Sequence, residues 1–364
     1  MNIEFQRLMQ DATRLTQSGD LAAATAAIQS ALAQRDNNAE SSPGHSPDIR
    51  ADNGDVIDVE ARVVPEGPAP AADAPPAKPR GEGFVAGRFG TGPSARDYKL
   101  YVPPGELTGA LPLVVMLHGC TQDPDDFAAG TAMNDAARSE GFFVLYPAQS
   151  AKANPQRCWN WFKHSHQQRG RGEPAILAAM TQDVIARYGI DPSRVYVAGL
   201  SAGGAMAAIL GQTYPDIFAA VGVHSGLPQG AARDLPSALQ AMKDGRAKGT
   251  AATQQLATPV IVFHGDSDPT VHPGNGENLF WAAGVGAGVR TESGRVPGGH
   301  AWTRQVKSSA DGTPQAELWQ VHGAAHAWSG GSPRGSYTDA KGPDATKEML
   351  RFFRQARRTS VPPM

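Results

Sequence analysis

Short apolar segments alternate with helical stretches from residue 84 onward, and this alternation restricts the possible folds more than any other feature of the sequence. The apolar segments are YKLYV (98–102), LVVML (113–117), FFVLY (142–146), RVYVAG (194–199), AAVGV (219–223), VIVFH (260–264) and ELWQV (317–321). Near-continuous apolar runs are typical of strands that are covered on both faces. Helical patterns at 175–188 and after residue 344 lie between or beyond them. We therefore predict an α/β fold with a mainly parallel sheet and helices on both faces.

One of these runs, RVYVAG, leads directly into a serine that lies between two glycines. The sequence Gly199, Leu200, Ser201, Ala202, Gly203 is followed by small, helix-compatible residues. A Gly-x-Ser-x-Gly pattern between a strand and a helix is typical of a nucleophile elbow, in which a tight turn holds the serine in a sparsely populated backbone conformation. A Cβ at either glycine would crowd the turn or the packing of the helix. We predict Ser201 as a nucleophile and the Ala202 N–H as an oxyanion donor.

A nucleophilic serine needs a base to take its proton and an acid to orient the base. In sheets of this kind the acid follows the serine, and the histidine comes last. Asp266 and Asp268 follow VIVFH, while His322 and His326 follow ELWQV. We favour Asp268, which reaches further into its loop and precedes a proline that favours extended backbone, and His326, because Gly323 can turn its loop toward the serine. The alternative for the aspartates is that they only cap turns.

The other histidines near predicted strand ends fit the role of base less well. His118 and His264 stand beside glycines, where a histidine often only hydrogen-bonds loops, and His300 precedes the strand at 317 and breaks the expected order. The sequence LVVMLHGCTQD predicts the second oxyanion donor. Gly119 permits close approach of the backbone there, and the Cys120 N–H is the donor, unless this is an ordinary strand-ending turn.

Five motifs occur in the order HGCTQ, RCWNWF, GLSAGGAM, HGDSDPTV and GAAHAWSGG. With them, residues 84 to about 356 resemble the polyhydroxybutyrate depolymerase family of esterases within the α/β-hydrolases, which also includes feruloyl and acetylxylan esterases. The resemblance implies an α/β-hydrolase fold and hydrolysis of carboxylic esters by Ser201, Asp268 and His326 through an acyl-serine. It implies a polyhydroxyalkanoate (3-hydroxybutyrate) oligomer or polymer as substrate, with a feruloyl or acetylxylan ester as the alternative. It also implies that Cys120 pairs with Cys158.

Three tryptophans near these motifs are predicted to line a substrate cleft. Trp159 and Trp161 follow Cys158, and Trp328 comes two residues after His326. Aromatic rings of this kind stack on apolar or phenolic groups, and the alternative is that they belong to the core. The chemistry requires no metal and no diffusible cofactor, and the expected partner is an ester substrate. A formal charge of −2 gives no reason to expect nucleic acid.

Residues 1–83 lie outside the resemblance. Residues 1–35 carry apolar side chains at helical spacing on both sides of SGD (18–20), which predicts a helical hairpin, and the Pro- and Ala-rich stretch 36–83 predicts a linker before a catalytic domain at 84–358. The apolar stripe of the hairpin predicts a cap on its own protein, a homo-oligomer contact, or docking to a granule or partner. An alternative hypothesis, from a different functional class, is that the protein is a non-catalytic hydrolase-like binding protein with an N-terminal tethering module.

Hydropathy and the start of the chain lead to an expected location. No apolar run approaches the roughly 20 residues that a bilayer crossing needs, so no transmembrane segment is expected. The first 30 residues lack the basic start, apolar block and cleavage site of a signal peptide. The expected compartment is therefore the cytoplasm, with an extracellular location, as for many members of the family, as the alternative.

Overall fold

The computed structural model of the chain describes residues 83–105, 109–245, 256, 258–283 and 288–358. The predicted hairpin at 1–35 and the predicted linker, up to residue 82, lie outside the described residues. The strands are β1 Gly83–Phe89, β2 Arg96–Val102, β3 Leu113–Leu117, β4 Phe143–Pro147, β5 Val195–Leu200, β6 Ala220–His224, β7 Val260–Gly265, β8 Val289–Arg295, β9 Ala301–Ser308, β10 Pro314–Val321, β11 Trp328–Ser329 and β12 Thr338–Asp339. The α-helices are α1 Pro124–Thr131, α2 Met133–Glu140, α3 Gly172–Tyr188, α4 Ala202–Thr213, α5 Leu235–Asp244, α6 Gly274–Ala282 and α7 Ala345–Phe353, with short 3₁₀ helices at Gly92–Ser94 and His164–Gln167.

Ten of these strands form one sheet, in the order β1-β2-β4-β3-β5-β6-β7-β10-β9-β8. The central strands from β4 to β10 run parallel. Antiparallel pairs close the sheet at both edges, with β1 and β2 on one side and β9 and β8 on the other. Each of the seven apolar runs forms a strand of this sheet, so the predicted mainly parallel architecture is confirmed. Among the described helices, none combines the length and apolarity that a membrane crossing requires.

The strand β3 shows why the central strands are largely apolar. Leu113, Val115 and Leu117 join the hydrophobic cluster on one face of the sheet, and Val114 and Met116 join the cluster on the other. Successive side chains of a strand point to opposite faces, so a strand with a helix layer on each side buries all of them. The helix α4 supplies residues to the first cluster and α7 to the second.

The strands at the edges were not predicted, and their composition explains why. The strand β8 reads VRTESGR and is mostly exposed, while β1 and β9 are only partly buried along most of their length. An edge strand with a solvated face needs no continuous apolar run, so the pattern that identifies the central strands is absent.

The parallel strands carry their loops to one edge of the sheet. HGC follows β3, Ser201 follows β5, and Asp268 and His326 lie in the loops after β7 and β10. In open α/β sheets, sites form outside the carboxyl ends of the strands. The fold therefore collects all the predicted catalytic groups at this one edge.

Candidate active site

Ser201 lies in the tight turn between β5 and α4, in a strained backbone conformation. Its φ is 57° and its ψ is −120°, and a positive φ is uncommon for a residue other than glycine. A Cβ on Gly203 would lie 2.0 Å from the Leu117 carbonyl oxygen, and one on Gly199 would lie 2.4 Å from the Gly203 carbonyl carbon. Both glycines are therefore required by close backbone packing, and the predicted strained turn is confirmed.

The structure brings Asp268 and His326 together as a hydrogen-bonded pair. His326 Nδ1 lies 2.7 Å from Asp268 Oδ2, and the aspartate side chain is 0% exposed. Its other oxygen accepts hydrogen bonds from the Thr270 and Val271 N–H groups, at 2.8 and 2.9 Å. Burial acts to raise the pKa of Asp268, but hydrogen bonds from His264 and His326 outweigh it and hold the pKa well below its usual range. Because Nδ1 donates to an ionised carboxylate, Nε2 of His326 is left as a proton acceptor.

The alternative acid and base form a separate pair at the surface. His322 Nδ1 lies 2.8 Å from Asp266 Oδ2, and both side chains are about two-fifths exposed, at 42% and 39%. The other ring nitrogen of His322 lies 2.9 Å from Thr303 Oγ1. His300 supports the same loop, with Nδ1 2.9 Å from the His322 carbonyl oxygen and Nε2 2.9 Å from Asp339 Oδ2. These histidines have both ring nitrogens occupied, so neither has one free to act as a base.

Two backbone N–H groups are available beside Ser201. The loop after β3 packs against the serine, since a Cβ on Gly119 would lie 3.7 Å from Ser201 Cβ. The Gly119 N–H is occupied, because it donates to Gln122 Oε1 at 2.9 Å. Within the described part of the chain, the N–H groups of Cys120 and Ala202 have no acceptor. Free donors at this position are what a developing oxyanion requires.

Cys120 and Cys158 form a disulfide. It joins the loop after β3 to the RCWNWF segment. A second connection is made by the Thr121 N–H, which donates at 2.7 Å to the carbonyl oxygen of Gln156, the residue just before RCWNWF. The position of the Cys120 N–H therefore depends on both a covalent and a hydrogen-bonded connection.

A buried carboxylate, Glu173, holds the RCWNWF segment through hydrogen bonds. It accepts hydrogen bonds from Gln149 Nε2 at 2.6 Å and from the Asn160 N–H and Nδ2 at 2.7 Å each. Burial acts to raise the pKa of Glu173, but His166 and the two amide side chains outweigh it and lower the pKa. Gln149 Nε2 also donates to the Cys158 carbonyl oxygen at 3.0 Å. An ionised Glu173 thus holds Asn160 directly and Cys158 through Gln149.

His118 orients the peptide group that carries the Cys120 N–H. Its Nε2 accepts from the Gln149 N–H at 3.1 Å, so the ring proton is on Nδ1, which lies 2.8 Å from the Gly119 carbonyl oxygen. Burial lowers the pKa of His118 to about 4, so the ring is neutral at neutral pH. The Gly119 carbonyl and the Cys120 N–H belong to one planar peptide unit and point in opposite directions. The prediction that His118 hydrogen-bonds a loop is confirmed.

The three tryptophans predicted to line a cleft lie in the core instead. Trp159, Trp161 and Trp328 are 0%, 6% and 1% exposed. The indole N–H of Trp159 donates to the His118 carbonyl oxygen and that of Trp328 to Thr346 Oγ1, both at 3.1 Å. Their rings support the loops of the site from inside and offer almost no surface to a substrate.

One exposed aromatic side chain, not predicted from the sequence, lies beside the oxyanion loop, residues 118–123 between β3 and α1. Tyr337 is 42% exposed, and its hydroxyl lies 3.3 Å from Thr121 Oγ1. Its carbonyl oxygen accepts from the Trp328 N–H at 2.7 Å, which connects Tyr337 to the base loop, residues 322–329 after β10. Tyr337 and Thr121 both have positive φ, 51° and 67°. No motif marks this tyrosine, so the sequence offered no signal for it.

Comparison with known proteins shows which family these features belong to. Residues 96–283, just over half of the chain, match the family model described as esterase PHB depolymerase. Poly(3-hydroxyalkanoate) depolymerase C of Paucimonas lemoignei is 35% identical over 251 residues, which cover 65% of this chain and 60% of that protein. Feruloyl esterase B of Thermothelomyces thermophilus is 29% identical over 244 residues, covering 62% of this chain and 81% of that protein. This chain thus spans less than two thirds of the length of the first relative.

A solved structure shares the fold. The acetyl xylan esterase from Aspergillus awamori superposes with a TM-score of 0.58 and 19% identity, over 75% of this chain and all of that one. At this identity the likeness concerns the fold alone. Together with the family match, it shows that the chain belongs to the esterase PHB depolymerase family and has the α/β-hydrolase fold.

Proposed function

We propose that this protein is a serine esterase that hydrolyses carboxylic esters through an acyl-serine intermediate. The observation that carries the proposal is the buried pair of His326 and Asp268, with 2.7 Å between Nδ1 and Oδ2, at the sheet edge that also carries the strained Ser201. An acid–base pair of this kind beside an elbow serine is the arrangement that acyl transfer needs. The hydrogen bond between the serine Oγ and the histidine Nε2 in such sites often forms only in the substrate complex.

In the first half of the reaction, Ser201 Oγ attacks the ester carbonyl carbon while His326 Nε2 takes its proton. The ionised Asp268 stabilises the imidazolium that forms. The carbonyl oxygen becomes an oxyanion and accepts hydrogen bonds from the N–H groups of Cys120 and Ala202. Each donor of this kind contributes about 3 kcal/mol to transition-state stabilisation.

In the second half, the tetrahedral intermediate collapses and the bond to the alcohol oxygen breaks. The imidazolium of His326 gives its proton to that alcohol, which leaves the site. Water then attacks the acyl group on Ser201 while His326 again takes a proton. Collapse of the second intermediate releases the carboxylic acid and restores the serine hydroxyl.

For the substrate, we propose a polyhydroxyalkanoate ester, as oligomer or polymer. The family match and the relative at 35% identity support this choice over the feruloyl esterase relative at 29%. A carbohydrate esterase is the second candidate. It is favoured by the exposed phenol ring of Tyr337 beside the oxyanion loop, which offers a surface on which a feruloyl or sugar group can stack.

The disulfide between Cys120 and Cys158 supports an oxidising compartment, because disulfides persist there and are rare in a reducing cytosol. An extracellular or other oxidising location is therefore part of the proposal, in preference to the cytoplasm. Homo-oligomer formation or docking to a granule or partner through residues 1–35 stays a prediction.

The deciding experiment compares the wild type with Ser201→Ala on four ester classes: a short-chain nitrophenyl ester, 3-hydroxybutyrate oligomers, methyl ferulate and acetylated xylan. We expect kcat/KM to fall by at least about a thousandfold in the variant on every ester that the wild type hydrolyses. Ser267→Ala is the matched control, since Ser267 lies in the loop after β7 and its hydroxyl, among the described residues, hydrogen-bonds to Asp266 Oδ1. Equal hydrolysis by the wild type and Ser201→Ala would refute the proposal, and the ranking of the esters decides between the two substrate classes.

A further inference from the structure

His224 lies in the sheet between the nucleophile and the acid. It is the last residue of β6, which pairs with β5 on one side and β7 on the other, and its register partners are Leu200 and Phe263. The residue after Leu200 is the serine. The His224 side chain is 1% exposed and takes no part in the proton transfers described above.

The backbone of His224 holds the nucleophile turn. Its carbonyl oxygen accepts the Ser201 N–H at 2.9 Å. The next residue, Ser225, continues the connection across the sheet, because its N–H donates to the Phe263 carbonyl oxygen at 2.9 Å. A residue in a sparsely populated conformation persists only where its surroundings determine it. The end of β6 is one of the groups that fix Ser201 in this way.

The ring of His224 holds the loop that carries the base. Its Nε2 accepts the Ser329 N–H at 2.9 Å, three residues after His326. The ring also stacks on Trp328, with 5.2 Å between ring centroids and 28° between planes, and on Phe263 at 5.8 Å and 18°. One residue therefore contacts both the turn of the nucleophile and the loop of the base.

The protonation state suits this role. Since Nε2 accepts a hydrogen bond, the ring proton is on Nδ1, which lies 3.2 Å from Ser225 Oγ. Burial lowers the pKa of His224 to about 3, and His264 and His326 lower it further in the same direction, so the ring is neutral at neutral pH. A phenylalanine would keep the ring stack but leave the Ser329 N–H buried without an acceptor.

We propose that His224 is a positioning residue that keeps the base loop in register with the nucleophile, by accepting the Ser201 N–H with its carbonyl oxygen and the Ser329 N–H with its ring. This inference rests on the proposed esterase function. It predicts that loss of the ring acceptor displaces His326 relative to Ser201 and slows the chemical steps while substrate binding is kept.

The test uses two variants of the full chain and one control. His224→Phe keeps an aromatic ring and removes the acceptor, whereas His224→Gln replaces the ring and places an amide oxygen near the position of Nε2. Thr181→Val is the matched control, because it removes one buried hydrogen bond, 2.7 Å from Oγ1 to the Leu177 carbonyl oxygen, in the middle of α3. For each protein we would measure kcat, KM, the rate of Ser201 labelling by a fluorophosphonate, and the urea midpoint.

We expect His224→Phe to lower kcat and the labelling rate by about 10- to 100-fold, with KM changed by less than about threefold. His224→Gln is expected to recover part of the loss, and Thr181→Val to lower the urea midpoint with kcat unchanged. The proposal is overturned if His224→Phe keeps kcat within about twofold of wild type, or if activity in both His224 variants falls only in proportion to the unfolded fraction.

A measurement on the wild type keeps the proposal testable if His224→Phe does not fold. Hydrogen exchange at the Ser329 amide should be as slow as at the neighbouring sheet amides, since this N–H is bonded to a buried ring. Fast exchange there would overturn the anchoring role. Activity that persists in Ser201→Ala would instead refute the esterase function, while the exchange rate at Ser329 would still report on the anchor, so the two failures are distinguishable.

Discussion

Removal of the disulfide separates the two kinds of connection that hold the oxyanion loop. Replacing both Cys120 and Cys158 by serine deletes the covalent link and leaves side chains of similar size. The disulfide closes a loop with a sequence separation of 38 residues, for which loop entropy in the unfolded chain gives about 4 kcal/mol. We expect the free energy of unfolding of the double variant to decrease by about this amount.

Activity is expected to respond much less than stability. The Thr121 N–H still donates to the Gln156 carbonyl oxygen, and the Trp159 indole still donates to the His118 carbonyl oxygen. Glu173 continues to hold the RCWNWF segment through its amide contacts. The Cys120 position should therefore move little, and we expect kcat to fall by less than about tenfold, which corresponds to roughly 1.4 kcal/mol in the barrier.

The assay compares oxidised wild type, wild type reduced with dithiothreitol, and the Cys120→Ser, Cys158→Ser double variant. Urea unfolding followed by tryptophan fluorescence gives the stability, and hydrolysis of a soluble nitrophenyl ester without urea gives kcat. The reduced wild type should behave like the double variant. A loss of activity above about 100-fold with less than about 1 kcal/mol lost in stability would refute the reasoning, because the disulfide alone would then position the oxyanion donor.

Three further outcomes follow from the site. Asp268→Asn should lower kcat by about 10⁴-fold. Asp266→Asn, in the surface pair, is the control and should change kcat/KM by less than about threefold. Steady-state kinetics of both variants on one ester test this assignment of the acid. Gly203→Ala should abolish soluble folded protein, since its Cβ would lie 2.0 Å from the Leu117 carbonyl oxygen, and a folded variant of wild-type stability would contradict the packing. The folded pKa of Glu173 is lowered, so its contribution to stability is present above the ordinary pKa of glutamate and lost as pH falls through the lowered value. Glu173→Gln should flatten the acid side of the stability profile measured by urea unfolding.

The central strands were predictable because burial on both faces leaves a direct trace in the sequence. The run LVVML is apolar at every position since β3 contributes to two hydrophobic clusters, and the first four residues of VIVFH in β7 alternate between the same two clusters. The strand β8 leaves no such trace, because VRTESGR is mostly exposed at the sheet edge. Sequence patterning therefore recovers the parallel core and misses the antiparallel edges.

The order of the motifs identified the residues that the structure brings to one edge, because the chain must deliver each loop from the end of a parallel strand. The order of the motifs does not predict the direction in which a side chain points. Trp328 lies two residues after His326, yet its ring turns inward to stack on His224 and bond to Thr346. Tyr337 has no motif around it and reaches the surface beside Thr121 through a turn with positive φ. Contacts between distant segments decide both orientations, and no local pattern encodes them.

The buried histidines at the strand ends show why a residue type that suggests catalysis serves here as support. A neutral imidazole has one donor and one acceptor on a rigid ring, so it can join two loops without the cost of burying a charge. His118 does so between Gln149 and Gly119. His264 makes its contacts through one nitrogen, with Nε2 2.8 Å from the Val271 carbonyl oxygen and 3.4 Å from Asp268 Oδ2, while its Nδ1 is buried without a hydrogen-bond partner among the described residues. Burial lowers the pKa of His118 to about 4, and a protonated ring would lose its acceptor for the Gln149 N–H. The hydrogen bonds that His118 makes to Gly119 and Gln149 therefore form with a neutral ring, as at neutral pH. Protonation of His118 in acid removes its bond to the Gln149 N–H, one of the bonds that orient the Cys120 peptide.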